Sequence, residues 1–300
     1  MKRNRNGGRP EVADVFREAL VNLKSGIKFS RDEVKVIRGI ILCRTAALGG
    51  HINYCDECGG EVQSYNSCWN RHCPKCQGSV RFEWVSKREA ELLDVSYHQV
   101  VFTLARELEE ICYQNKRVCY DLQLKASART LDEVARDRLG MRIGSIAVLH
   151  TWDQELKLHT HPHLNCVAIS NSRIVSIKDK QVYFLVRDRR KKHKKRIHSL
   201  PVQEFMRRFL LHILPKKFRR IRYYGFMSNG NRKHALPLCR ALISKHRKRP
   251  PPKPLPKKEK LHPQTCSLCG KGIMRLGAII KPVRKLKKLW IRHVPVLDST

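Results

Sequence analysis

The stretch from Cys55 to Cys76, CDECGGEVQSYNSCWNRHCPKC, constrains this chain more than any other. Two Cys-x-x-Cys pairs, Cys55/Cys58 and Cys73/Cys76, stand fourteen residues apart. Paired knuckles close a tetrahedral thiolate site around zinc at about this spacing. A short Cys-x-x-Cys turn aims two thiolates at one ion while backbone amides donate to the sulfurs. Gly59 and Gly60 supply the tight turn after the first pair. The spacing therefore predicts a structural Zn2+ held by Cys55, Cys58, Cys73 and Cys76, with Cys68, His72 and His51 near enough in sequence to replace one thiolate.

Charge narrows the partners. The 300 residues carry 62 Lys and Arg against 26 Asp and Glu, a formal net charge of +36. A compact chain of that charge repels itself unless a polyanion neutralises it, so the expected partner is nucleic acid. A membrane surface is the competing polyanion. However, no apolar run reaches the roughly 18 residues of a span, and the leader MKRNRNGGRP has no apolar stretch behind its charges. Twelve cysteines without a secretory signal suit metal binding in a reducing compartment better than disulfides.

Apolar periodicity places a helix over 11–23 and a second after the capping-box pair Ser30 and Glu33, closed by Gly49 and Gly50. A helix over 79–93 leads away from the cysteines. A strand is expected at 97–104 (YHQVVFTL), helices at 106–128 and 130–138, and a strand at 143–152. Strands at 173–177 and 182–186 form a hairpin, and Pro201 opens a helix that buries Phe205, Phe209, Leu210 and Ile213.

Three polar features remain. In the run His159 to Asn165, the side chains of His159, His161, His163 and Asn165 share one face of an extended chain, so His161, His163 and Asn165 are candidate ligands for a divalent ion. Arg187 to Arg196 (RDRRKKHKKR) is a solvated basic run suited to phosphates. Around it, DNA contact is expected from Arg71, Lys75, Arg187, Arg189, Arg190, Lys191, Lys192, Arg220 and Arg222. Beyond a Pro- and Lys-rich linker at 245–260, Cys266 and Cys269 make a third knuckle with no fourth pair to complete it, although His262 or Cys239 lies within reach in sequence.

The blocks EVADVFR (11–17), CRTAALGGH (43–51), YNSCWNRHCPKCQ (65–77), VVFTLARELE (100–109), AVLHTW (147–152), HPHLNC (161–166), VAISNSRI (167–174), MRRFLLHILP (206–215) and RIRYYGF (220–226) together resemble a rolling-circle transposase of insertion-sequence family ninety-one, a branch of the His-hydrophobic-His (HUH) nucleases. The resemblance implies an α+β chain. A helical, zinc-ribbon-like module (1–95) would precede an HUH-type antiparallel sheet with helices (96–244), then the linker (245–260) and a Cys-x-x-Cys tail (261–300). It also implies a bacterial, cytoplasmic, nucleoid-associated protein that acts on single-stranded element ends. There a tyrosine would attack the phosphodiester, with Mg2+ or Mn2+ at the histidines.

Two departures bear on activity. The family pattern His-Pro-His-hydrophobic-His has Asn165 at its last position, and the family's long segment before VAISN, which ends in its paired tyrosines, is missing between Cys166 and Val167. No two of the eight tyrosines here are three or four residues apart. The expectation is a deleted transposase that binds DNA without nicking it. The alternatives are a non-catalytic zinc-stabilised regulator and an RNA-binding zinc-ribbon protein.

Overall fold

The first two helices form where local signals are strongest. Val12, Val15, Phe16, Ala19 and Leu20 line the buried face of α1 (Val12–Val21). Ser30 caps α2 (Arg31–Leu42): its hydroxyl accepts the Glu33 amide, and the Glu33 carboxylate accepts the Ser30 amide at 2.8 Å. The computed structural model describes residues 9–162, 169–188, 194–247, 265–283 and 294–295.

The elements then follow as β1 (Gly50–Cys55), β2 (Glu61–Tyr65), α3 (Pro74–Glu89), α4 (Glu109–Gln114), α5 (Lys116–Leu139), β3 (Gly144–Trp152), β4 (Leu158–Pro162), β5 (Ile174–Lys178), β6 (Gln181–Asp188), β7 (Lys194–Pro201), α6 (Val202–Leu211), β8 (Ile221–Gly225), α7 (Arg232–Arg247) and β9 (Met274–Ile280). The architecture is α+β, with three antiparallel three-stranded sheets ordered β2-β1-β9, β4-β3-β8 and β5-β6-β7.

The chain divides into two compact units, with one boundary inside α3 between Arg81 and Phe82. The first unit gathers α1, α2, the β2-β1-β9 sheet, the β5-β6-β7 sheet and α6. Its core lies around α6, where Phe209 meets Phe16 of α1 edge-on at 5.2 Å and Phe205 meets Phe184 of β6 at 5.6 Å. Rings of this size supply most of the apolar area that holds such a junction together. The β5-β6 hairpin turns through Asp179 and Lys180, both left-handed (φ 49 and 59), the geometry that matches the twist of paired strands.

The second unit holds α4, α5, the β4-β3-β8 sheet and α7. Its core is small: Tyr120, Leu124, Leu149, Leu214 and Phe218, with Ala147 packed against them. Gly140 ends α5 in the left-handed conformation, its amide donating to Arg136 O and that of Met141 to Ala135 O.

Several expected boundaries move, each for a physical reason. The second helix stops at Leu42 instead of Gly49, because Cys43 is extended and turned toward other thiols. A short 3-10 turn, Ala46–Leu48, fills the interval. Residues 97–104 form no strand: among the described residues no strand pairs with the segment, and Val100 and Val101 are about half exposed. The helical break falls at Asn115 instead of near 129, and Thr130 sits inside α5. Ion pairs Asp121–Lys125, Arg129–Glu133 and Asp132–Arg136, each one helical turn apart, bridge that region and outweigh a lone capping signal. The basic run is partly ladder: Arg187 and Asp188 end β6 opposite Lys195 and Lys194 of β7, and residues 189–193 lie outside the described residues.

Candidate metal centre and nucleic-acid interface

The structure brings eight cysteines into two groups, and neither is the quartet drawn from spacing. Cys73 and Cys76 meet Cys43 and Cys68, whereas Cys55 and Cys58 meet Cys266 and Cys269. In the first group Cys43 follows α2, Cys68 precedes a tight loop, and Cys73 and Cys76 lie at the start of α3. Cys43 and Cys68 Sγ stand 3.5 and 3.6 Å from Cys76 Sγ. Those separations are far beyond the roughly 2.05 Å of a disulfide. They approach the roughly 3.8 Å edge of a tetrahedron of sulfurs placed about 2.3 Å from zinc.

The surroundings suit thiolates. The Asn70 amide points at Cys68 Sγ at 3.4 Å, and Asn70 Oδ1 accepts the His72 amide at 2.9 Å, which fixes the loop. Hydrogen bonds from Cys68 and then Cys73 hold Cys43 far below the usual thiol range, at about 2. The interaction with Cys43 in turn raises Cys68 and lifts Cys73 to about 12. A dication bound by the four sulfurs would displace their thiol protons. These residues fit zinc. His51 and His72 belong to neither group.

Sequence spacing does not disclose two members of the first group. Cys43 has no Cys-x-x-Cys partner to mark it, and Cys68 reads only as a possible substitute. Between Cys68 and Cys73 stands Trp69, 82% exposed with φ 53. A bulky residue in that conformation is an outlier of the kind that collects at functional sites.

The expected DNA contacts divide. Lys75 is bound to Glu11 at 2.6 Å and is mostly buried, and Arg222 pairs with Asp121 at 2.7 Å while lying over the Phe218 ring. Both hold the fold. Arg71 and Arg220 are half-buried. Arg187, Lys194 and Lys195 are exposed on the β6-β7 ribbon, with Arg187 directly opposite Lys195. Arg189, Arg190, Lys191 and Lys192 lie outside the described residues.

The histidine motif is only partly described. His161 stands opposite His150 in the β3-β4 register, and His150 is buried against Trp152 with ring centroids 4.0 Å apart. His163 and Asn165 lie outside the described residues, as does the side chain of His161. Tyr223 is opposite Ile146 on the other edge of β3. Four residues along a strand separate it from the His150 position, about 13 Å. Its hydroxyl accepts from Arg88 Nη1 at 2.8 Å and Trp84 Nε1 at 3.1 Å, and Arg88 and Arg232 lie over its ring. Tyr120 is buried in the core of the second unit.

Residues 15–104 match a family model described as a transposase zinc-binding domain, and residues 164–235 match one described as "putative transposase". The "putative transposase y4qJ" of Sinorhizobium fredii is 34% identical over 337 residues, covering 78% of this chain and 84% of that protein. The transposase for insertion sequence element IS801 of Pseudomonas savastanoi pv. phaseolicola is 30% identical over 138 residues, 45% of this chain and 33% of that protein. No solved structure matches. Among the described residues, no helix is long and apolar enough to cross a membrane.

Proposed function

We propose, for a chain that belongs to the transposases of insertion-sequence family ninety-one, that it holds single-stranded DNA but has lost the strand-cutting step of its relatives. One observation carries the loss. The alignment with the Sinorhizobium relative runs over 337 positions, more than the 300 residues of this chain, yet uses only 78% of it. Some positions of that relative therefore have no counterpart here, and we read them as the family's tyrosine-bearing segment, absent where Cys166 joins Val167. The unpaired, β-rich residues 97–104 and the three-stranded β4-β3-β8 sheet suit an HUH-type sheet that has lost neighbouring strands.

Two of the remaining phenols are already engaged. Tyr223 is occupied by Arg88 and Trp84, and Tyr120 is enclosed. The histidine motif also departs from the family pattern, with the neutral amide of Asn165 where a third imidazole is expected.

Holding DNA needs less. Arg187, Lys194 and Lys195 project from a two-stranded ribbon and would displace counterions from phosphates, while the exposed Trp69 offers an aromatic face to an unstacked base. A zinc ion held by Cys43, Cys68, Cys73 and Cys76 would keep the Trp69 loop in place, a structural role.

Fluorescence anisotropy with a labelled single-stranded oligonucleotide across a salt series tests the binding. Affinity should fall steeply with salt, and replacing Arg187, Lys194 and Lys195 by Ala should flatten the slope by about 0.7 for each phosphate left without its cation. Salt-independent or absent binding refutes the DNA reading. Incubation of the same oligonucleotide with Mg2+ or Mn2+ tests the loss of cutting, which a protein-linked 5′-phosphate adduct would refute.

A further inference from the structure

The family-model matches end at residues 104 and 235, so Cys266 and Cys269 lie outside both. We infer that Cys55, Cys58, Cys266 and Cys269 form a second tetrathiolate zinc site that fastens β9 to the β1-β2 hairpin and makes the N-terminal module depend on a segment more than 200 residues away. The inference concerns metal and fold and does not rest on the DNA reading.

The two Cys-x-x-Cys turns repeat one local structure. In each, the first cysteine's carbonyl accepts the amide of the glycine after the second cysteine: Gly59 to Cys55 at 3.1 Å and Gly270 to Cys266 at 2.9 Å. Both glycines are left-handed, at φ 65 and 70. In each, the first cysteine's amide donates to a later glycine carbonyl, Gly60 O at 3.0 Å and Gly272 O at 2.7 Å. Amides also point at sulfur in both turns: Cys58 N at Cys55 Sγ, Leu268 N at Cys266 Sγ and Gly272 N at Cys269 Sγ, between 3.3 and 3.5 Å. Two such turns facing each other, each donating amides to its sulfurs, are built to carry negative sulfur.

The sulfurs across the gap have the spacing that zinc asks for. Cys55 and Cys269 Sγ are 3.7 Å apart, and Cys58 and Cys266 Sγ 3.8 Å, beside the roughly 3.8 Å of a tetrahedral tetrathiolate. Close packing leaves no room for side chains at the turn. A Cβ at Gly272 would overlap Cys55 Sγ, and one at Gly60 would press on Leu268. The strands beside the knuckles are already paired, β1 with β9 over Gly50–Cys55 and Met274–Ile280. Asp56 closes the junction, accepting from the Ile273 amide at 2.7 Å and pairing with Arg275 at 3.1 Å.

The test is metal stoichiometry of the full chain, purified with zinc and exchanged with cobalt(II). Two ions per chain are expected, both with the intense thiolate charge-transfer absorption of tetrahedral cobalt. Cys266→Ser with Cys269→Ser should halve the metal content and the absorption, and should speed amide exchange of residues 274–280. Cys68→Ser with Cys73→Ser should also leave one ion, bound by the second group. A wild-type chain that takes a single ion overturns the proposal whether or not the variants fold, and so does a Cys266/Cys269 double variant that retains two.

Discussion

The two units differ in how large a buried core they assemble. In the first, Val12, Val15, Phe16, Ile37, Phe184 and Phe205 are fully buried, and two thiol groups stand ready to cross-link what the core leaves loose. In the second, five residues make the main cluster, while Val118 and Leu122 of α5 are each 59% exposed and Tyr97 is 61% exposed. Helices form locally in either unit, whereas burial needs elements brought from elsewhere in the chain.

Chelation should break the comparison most strongly. Structural zinc in small modules is worth on the order of 10 kcal/mol. Removing it at neutral pH should therefore erase amide-exchange protection in β1, β2 and β9 and leave that in β3 and β8 nearly unchanged. The effect should deepen on acidification, since protons compete with the ion for sulfur. Next in size is Phe209→Ala, which empties the edge-on packing against Phe16 and should cost about 3–5 kcal/mol, read as faster exchange throughout α1 and α6.

The second unit should be far more tolerant. Leu122→Lys alters a mostly exposed side chain and should change stability by no more than about 0.5 kcal/mol while lowering the binding of a hydrophobic dye. A large loss of stability would mean that α5 has a partner at that face.

The smallest effect concerns Glu204, whose carboxyl is held down at about 2 by Arg207 first and by Arg208. A depressed carboxyl stabilises the fold above its unfolded value near 4.5, and that contribution is lost as pH falls from there toward 2. Solvent screens the pair, so about 0.5 kcal/mol is expected. Glu204→Gln should flatten the acid limb of α6 protection by that amount.

Much of the local structure was legible. The stripe of α1, the Ser30 and Glu33 box, the β5-β6 hairpin and the helix opening at Pro201 follow from interactions within a few residues of each other. The strand expected at 97–104 failed because strand propensity needs a neighbour to act on, and among the described residues none pairs with it. The continuity of α5 through Thr130 was settled by side-chain pairs one turn apart, which outweighed the cap there.

The chain's own order of residues determined its family, its cationic character and the presence of cysteine turns shaped for metal. Which turns share an ion was decided only in three dimensions. A Cys-x-x-Cys pair fixes two sulfurs through backbone geometry across four residues, but nothing local selects the opposite pair. Pairing of β1 with β9 brings Cys266 and Cys269 to Cys55 and Cys58, and the end of α2 delivers Cys43 to the remaining three.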